Sequence, residues 1–410
     1  MSSHLRVLRR PDFRNLWLAQ ATSVVGDRLV IVALALFVTD LTGSATDVGL
    51  VLGAQTLPLV TFLLIGGVWA DRLPRAKLMI ATDVVRALLH ALLAALIFTD
   101  VVEIWHLVLI EALFGTAEAF FRPAYTGLLP RTVPEAEIQE AQALSNMTTN
   151  LAELTGPALA AALVLGVGAG WAFLLDAATF AVSALLLTRV RTPDARPAPG
   201  DRRTLLADLA EGFGHVRSRP WIWVTVAVFS LAVPLGYAPL LVLGPSVATD
   251  SYGSAAVFGI VTTLFGAGAL AGGLAGLRWR PRRPMRAAFL VIAGWPALLV
   301  VFGVTAPVAV VLVLAFAAGT GFALFDVWWN TAMAERIPPN ALSRVSSYDW
   351  MGTLALLPVG FLLAGPIADA TSADTVMVLG GVLTATVLAL GLIPRETRTL
   401  RRIERVSGPA

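Results

Sequence analysis

Apolar residues in this chain gather into long, nearly unbroken runs that return at short intervals from one end to the other, with brief polar turns between them. Twelve runs reach about 20 residues, the length that carries a helix across ~30 Å of hydrocarbon. They predict membrane spans at 14–39, 46–70, 77–98, 104–128, 138–165, 170–189, 220–243, 254–277, 285–304, 307–330, 345–367 and 374–393. The basic stretch before the first run resembles the start of a signal peptide, but the run is too long and carries Asp27 and Arg28, so it reads as a retained helix.

Charge placement tests the count, because a wrong number of spans would scatter Lys and Arg over both sides. One side collects Arg6, Arg9, Arg10 and Arg14, then Arg72, Arg75 and Lys77, Arg122 and Arg131, and Arg189 to Arg219. It continues with Arg278 to Arg286, Arg336 and Arg344, and Arg395 to Arg405. The opposite loops carry Asp40, Asp47, Asp100, Glu103, Asp250, Asp369 and Asp374 instead. Twelve spans with both termini cytoplasmic, in a cell inner membrane, satisfy this pattern.

Composition removes other classes. At 57% hydrophobic and 14% charged residues, the chain is no soluble globular domain, and its mean hydropathy of +0.77 agrees. Without cysteine there is no disulfide scaffold, thiolate metal site or cysteine nucleophile. Lys77 is the only lysine, and Ala76 and Leu78 beside it exclude a phosphate-binding Walker loop. The arginines are explained by topology at a net charge of +3, so no nucleic-acid partner is expected. Four histidines without a ligand motif, and no Gly-x-Ser-x-Gly, predict neither a metal site nor catalytic residues. The chain is not expected to be an enzyme.

Internal repetition sets the domain plan. Gly43-Ser44-Ala45 recurs as Gly253-Ser254-Ala255, Gly115-Thr116 as Gly319-Thr320, and Val133-Pro134 as Ile337-Pro338, each about half the chain apart. This predicts two six-helix bundles, 1–191 and 220–394, joined by a linker at 192–219 and followed by a cytoplasmic tail at 395–410. Within the linker, Leu205, Leu209, Phe213 and Val216 recur at helical spacing opposite Asp208, Glu211 and Arg217. That pattern suits an amphipathic helix on the membrane surface or a solvated linker helix.

The sharpest local signal follows the second span: Gly67-Val68-Trp69-Ala70-Asp71-Arg72-Leu73-Pro74-Arg75-Ala76-Lys77. A carboxylate at a helix C-terminus opposes the local dipole, so Asp71 is better placed facing another helix's N-terminus, whereas Arg72 and Arg75 suit their end. This stretch resembles the loop signature of the major facilitator superfamily, with Pro74 where a second glycine is usual. Phe13-Arg14-Asn15-Leu16-Trp17, Gly26-Asp27, Arg122-Pro123-Ala124-Tyr125-Thr126-Gly127-Leu128-Leu129-Pro130, Leu154-Thr155-Gly156-Pro157, Arg344-Val345-Ser346-Ser347 and Leu357-Pro358-Val359-Gly360 resemble its drug and siderophore efflux branch, which includes macrolide exporters and the enterobactin exporter. The resemblance implies an all-α integral membrane protein of two six-helix bundles around a central cavity, working by alternating access. Gly67, Asp71, Arg72, Arg75 and Lys77 would form a cytoplasmic gate loop whose acid docks on the eleventh span. Two departures stand out. Pro157 is followed by Ala158, Leu159, Ala160 and Ala161 where the drug-antiporter signature continues with glycines, and no acid occurs between Asp250 and Asp326, so the second half offers no matching latch.

Ionisable side chains within a membrane are costly, and by default functional or internally paired. Asp27, Arg28, Glu118 and Glu153 fall near the midplane, counted at 1.5 Å per residue from the membrane entry of each helix. Three acids and one base at one depth, if they converge on one cavity, leave negative charge that a proton must neutralise. Asp27 and Arg28 are about 100° apart around their helix, so Arg28 is expected to pair with a carboxylate of a neighbouring helix. Asn146, Thr149, Asn150 and Glu153 share one polar face of the fifth span and are expected to line water. Glu111 stacks seven residues before Glu118, nearer the outer surface, as a relay or gate. Asp83, Arg86 and His90 stack on the third span, with Asp83 and Arg86 as an internal ion pair and His90 as a candidate relay.

Other features read as structural. Gly268, Gly272 and Gly276 permit close helix packing; Trp328 and Trp329 read as interfacial anchors; Pro234, Gly236 and Pro239 should bend the seventh span; and Asp326 and Asp349 are gate candidates. Together these residues predict a monomeric secondary transporter that exports a small amphipathic molecule by proton antiport. It needs no cofactor beyond the proton gradient and has the lipid bilayer as its partner. An uptake symporter and a membrane sensor or assembly partner without flux remain open.

Overall fold

The computed structural model describes residues 7–134, 137–191, 213–279, 281–337 and 339–401. In its first half, Pro11–Thr42 forms α1, Ala45–Arg72 α2, Arg75–Phe98 α3, Ile104–Leu128 α4, Ile138–Val167 α5 and Ala169–Leu187 α6. In the second half, α7 comprises Pro220–Ala232, a π turn at Val233–Tyr237 and Ala238–Tyr252. Next come α8 (Ala256–Arg278), α9 (Pro284–Val291 and Gly294–Gly303), α10 (Val308–Arg336), α11 (Pro339–Ala355 and Leu357–Ala370), α12 (Ala373–Leu390) and a short α13 (Arg395–Thr399). Among the described residues, 11 segments are long and apolar enough to cross a bilayer. The remaining predicted span is α5, a continuous helix of 30 residues whose apolar run covers only Thr155–Val167 because its first half is polar.

Two compact units result, one built on α1–α6 with 254–263 and 361–366, the other on the rest of the second half. In the first, α2 packs on α4, α3 on α4 and α6, and α1 on α5 and α6. An apolar cluster including Phe13, Leu16, Met79, Phe121, Leu128 and Leu187 closes one end of this bundle. The exposed pair Arg10–Glu137 (2.9 Å) and the bond from Arg191 N to Asp12 Oδ1 (2.8 Å) tie its chain ends together. Glu137 holds the Arg10 guanidinium above its ordinary value through their hydrogen bond and opposite charge. In the second unit, α9 packs on α10 and α12, and α7 on α11 and α12.

The repeated motifs have a common geometric cause. Gly43 and Gly253 close α1 and α7 in the left-handed conformation, at φ of +65° and +75°, which favours glycine. Ser44 Oγ then accepts from Asp47 N at 3.2 Å, and Ser254 Oγ from Ala256 N at 3.2 Å. A Cβ on Gly115 would lie 1.9 Å from the Gln55 carbonyl oxygen, and one on Gly319 1.8 Å from that of Phe265. Both glycines therefore mark a helix crossing that admits no side chain. Gly268 and Gly272 lie as tightly against Phe316 and Thr320 of α10, and Thr320 Oγ1 donates to the Gly268 carbonyl at 3.0 Å.

Two expectations change. Trp328 and Trp329 are not interfacial anchors: both are buried, edge-on to Trp279 and Trp221, with Trp328 Nε1 donating to the Trp279 carbonyl (3.0 Å) and Trp329 Nε1 to Asp349 (2.9 Å). Neighbouring indoles supply an internal aromatic site that sequence position near a helix end does not reveal. The bend expected at Pro234 and Gly236 takes the form of the π turn, because proline removes a backbone donor there. Of the linker pattern, Leu205, Asp208, Leu209 and Glu211 lie outside the described residues; Phe213 is exposed and Val216 buried.

Candidate functional site

The third helix supplies the core of the site. Asp83, Arg86 and His90 recur at i, i+3 and i+7, so they stack on one face, and α4 and α6 bury that face completely. Arg86 donates to Asp83, which also accepts from Ser183 of α6 at 2.6 Å. The guanidinium lies over two rings, 4.2 Å from the centroid of Phe180 and 4.3 Å from that of Phe121, where the aromatic faces partly offset its lost hydration. Its other ion-pair partner is Asp27 of α1, at 3.9 Å. Asp27 keeps 24% side-chain exposure against 1% for Arg86, and its Oδ1 accepts no hydrogen bond among the described residues.

One turn further along α3, His90 stands between two carboxylates. Its Nδ1 lies 2.5 Å from Asp176 Oδ2 of α6, and its Nε2 3.5 Å from Glu111 Oε1 of α4. Phe114 stacks on the imidazole at 4.2 Å between centroids, and Phe173 and Phe180 meet it edge-on. Glu111 is fully buried rather than open to water, and among the described residues neither of its oxygens has a hydrogen-bond partner.

Asp27, Asp83, Glu111 and Asp176 thus gather around the Arg86 guanidinium and the His90 imidazole, and Arg28 and Glu118 act electrostatically on Asp27 as well. With Arg28 and the Glu118–Arg122 pair counted, five acids face four bases among the described residues even with His90 charged. An uncompensated ion in such surroundings costs several kcal/mol.

Among the other predicted residues, Glu118 is within electrostatic reach of Asp27 and Arg28 and is also paired along its own helix, accepting from Arg122 Nε at 2.9 Å and Nη2 at 2.5 Å. Sequence position had put Arg122 at the end of the span, but it lies within α4, at the i, i+4 spacing that suits an ion pair. Arg28 is partly exposed on α1 beside Gly156 of α5, where a Cβ would lie 2.6 Å from that of Arg28. Asn146 is exposed, and Thr149 Oγ1 bonds back to the Ser145 carbonyl at 3.2 Å. The side chains of Glu153 and Asn150 lie outside the described residues, as do those of Asp71 and Arg72, and Gly67 with them. Arg75 donates to the carbonyls of Ala70 (3.2 Å) and Gly127 (2.6 Å), pinning the loop to α4, while Lys77 is exposed.

Asp176 and Ser183 were not singled out by sequence. The available signal was Asp176 itself, the one charged residue in an otherwise apolar α6.

The sequence profile of the Major Facilitator Superfamily matches residues 16–353. The chain belongs to the Major Facilitator Superfamily. Membership makes it a multi-pass membrane transporter of small molecules rather than an enzyme. Among its relatives, the multidrug efflux pump Tap of Mycolicibacterium fortuitum is 28% identical over 95% of this chain and 97% of its own length. Macrolide efflux protein A of Streptococcus pyogenes is 24% identical over 96% and 97%. Similar solved folds include the nucleoside transporter NupG in its D323A mutant form, with a TM-score of 0.69 at 14% identity over 93% of this chain and 98% of that one. A bacterial homologue of the human lysosomal transporter Spinster gives 0.66 at 15% identity over 93% and 95%.

Proposed function

We propose that this superfamily member is an exporter of small amphipathic molecules, macrolide-like compounds among them, driven by proton antiport with Asp27 as the exchanging acid. The observation that carries the reading is the state of Asp27: partly exposed, with one oxygen lacking a donor, and 3.9 Å from a guanidinium that Asp83 already holds. Such an acid can take a proton from water and return it. Ionised, it draws on Arg86 with roughly 4 kcal/mol at 4 Å and an effective dielectric near 20; protonated, it does not. A difference of that size approaches the ~5.5 kcal/mol that carries a two-state equilibrium from 1:99 to 99:1, so the proton biases where α1 sits against α3. The efflux names of the two relatives support the direction of transport. In the same reading Asp71 latches the gate loop in one access state, Glu153 and the polar face of α5 line the substrate path, and the arginine-rich side with both termini is cytoplasmic. The transporter works as a monomer.

The test is uptake of a radiolabelled macrolide and of cationic dyes into inverted membrane vesicles with an imposed interior-acid gradient. Wild type should concentrate at least one probe in proportion to the gradient. Asp27→Asn should abolish the gradient dependence while leaving substrate binding within about threefold, because the amide keeps the shape and cannot titrate. Wild-type transport with no response to the gradient overturns proton antiport; unchanged gradient-driven uptake in Asp27→Asn overturns the site. Accumulation in right-side-out vesicles under the physiological gradient would make the protein an uptake symporter, and binding without flux in either orientation a sensor.

A further inference from the structure

Hydrogen bonds divide the four clustered acids into two kinds. Asp83 accepts from Arg86 and Ser183, and Asp176 has His90 at 2.5 Å and Thr179 Oγ1 at 3.3 Å. Among the described residues, Asp27 Oδ1 and both oxygens of Glu111 accept no hydrogen bond, His90 Nε2 standing 3.5 Å from Glu111 Oε1. Leaving a neutral carboxyl group unbonded in a dry interior costs less than leaving an ionised one there. Two carboxylates flank one imidazole in a site without exposure, so charge balance there leaves one proton to hold, and it belongs on Glu111, which accepts no hydrogen bond; Asp27, the other such acid, sits in different surroundings. Asp27 retains 24% exposure; Glu111 has none, behind the stacked ring of Phe114 and the imidazole of His90.

We propose that Glu111, His90 and Asp176 form a second, occluded proton site, with the proton on Glu111, His90 cationic and Asp176 anionic, and that α1 covers it at Gly26. The lid is visible in the packing: a Cβ on Gly26 would lie 1.9 Å from Asp176 Oδ1 and 2.5 Å from Thr179 Oγ1, so the bare backbone of α1 seats on the carboxylate one residue before Asp27. Lifting α1 from α6 exposes Asp176 to water. The imidazolium then passes its Nδ1 proton by way of Asp176 to that water; the neutral ring, turned so that the bared nitrogen faces Glu111, takes the carboxyl proton and is imidazolium again, and the reverse sequence returns one, so nothing else is consumed. Among the described residues, the charged groups around the site are Asp83 and Arg86 on α3, Glu118 and Arg122 on α4, and Asp27 and Arg28 on α1. Of these, Arg86 and Arg122 are engaged by Asp83 and Glu118, and Arg28 acts on Asp27, so the triad's two carboxylates and one imidazole set its own charge.

The inference rests on the proton-coupled reading but is measured without transport. Infrared spectra of the purified full chain in lipid nanodiscs at neutral pH should contain two protonated-carboxyl bands. Asp27→Asn should remove the one that exchanges quickly with deuterium, and Glu111→Gln the one that exchanges at least about 100-fold more slowly, a factor equal to ~2.7 kcal/mol of local opening. A Glu111→Gln protein of wild-type helix content that keeps both bands overturns the proposal, as does a slow band that exchanges as fast as the other. Should Glu111→Gln fail to accumulate, wild type still decides: a single band that Asp27→Asn abolishes leaves no second site. Failure of the exporter reading shows in the vesicle experiment instead, as transport indifferent to the gradient.

Discussion

Arg86→Met tests whether the buried cluster is organised around one guanidinium. Methionine nearly matches the length and apolar bulk of the arginine stem, so the aromatic box of Phe121 and Phe180 stays filled while the charge disappears. Asp83, with no exposure, would then keep only Ser183 as a donor. Removing one partner of a buried pair costs about 3–5 kcal/mol, to which the lost cation–π contact adds up to ~2 kcal/mol. The sum is a large share of the 5–15 kcal/mol typical of folded domains. Arg86→Met alone should therefore lower the folded yield sharply.

Adding Asp83→Asn to Arg86→Met removes the stranded charge and should restore at least about 2 kcal/mol, because a neutral pair in a packed interior is often no less stable than the ion pair it replaces. The assay is detergent-driven unfolding of purified protein followed by tryptophan fluorescence, with the exposed pair Arg10–Glu137 as a control whose loss should go undetected. A cost below about 1 kcal/mol for Arg86→Met, or no recovery in the double variant, would show that Asp83 is not ionised beside Arg86 and would refute the charge count on which the site is built.

Two further outcomes follow from packing and from hydrogen bonding. Gly115→Ala and Gly319→Ala each force a methyl onto a carbonyl oxygen less than 2 Å away and should each cost about 1–3 kcal/mol of stability. Gly273→Ala, with nothing within 4 Å, should be neutral in the same detergent-driven unfolding assay. Trp329→Phe takes from Asp349 its indole donor and should destabilise the second unit by about 1–3 kcal/mol, and a Trp329→Phe protein that melts with wild type would show that water serves Asp349 equally well.

The spans, the repeat and the family were legible because each rests on a rule that acts locally or at a fixed period. Hydrocarbon thickness sets the length of α1 to α12, the left-handed turns at Gly43 and Gly253 demand glycine, and the crossings at Gly115 and Gly319 demand the absence of a side chain. The stack of Asp83, Arg86 and His90 was legible for the same reason, since helical spacing alone puts them on one face. The partners of that face were not, because Asp176, Glu111 and Asp27 come to it from three other helices, and depth along a helix says nothing of rotation about it. Counting depth did group Glu118 and Arg28 with Asp27, on which both act electrostatically, but it could not show that Glu118 is paired with the arginine four residues on in its own helix. It also passed over Asp176, whose chemistry depends on the bare backbone of Gly26 across the helix interface.

The two halves keep one architecture while dividing the chemistry unequally. Glycine caps and glycine crossings recur in both, but every fully buried ionisable side chain among the described residues, Asp83, Arg86, His90, Glu111 and Asp176, belongs to the first half. What the second half has at the corresponding level is a backbone irregularity: the π turn at Val233–Tyr237, with Gly236 admitting Trp295 and Thr384 where a Cβ would lie 2.8 and 2.9 Å from them. A scheme in which each repeat contributes an equivalent acid to the cycle would require a matching cluster there. Asp349, held by an indole N–H and without an ion-pair partner among the described residues, does not supply one. Under the proposed proton antiport, proton binding would act on the first half alone, through α1, α3, α4 and α6, so substitutions that neutralise the cluster should change energy coupling. Substitutions at the π turn should instead change how substrate is bound or released, and that separation is what an asymmetric pair of repeats implies.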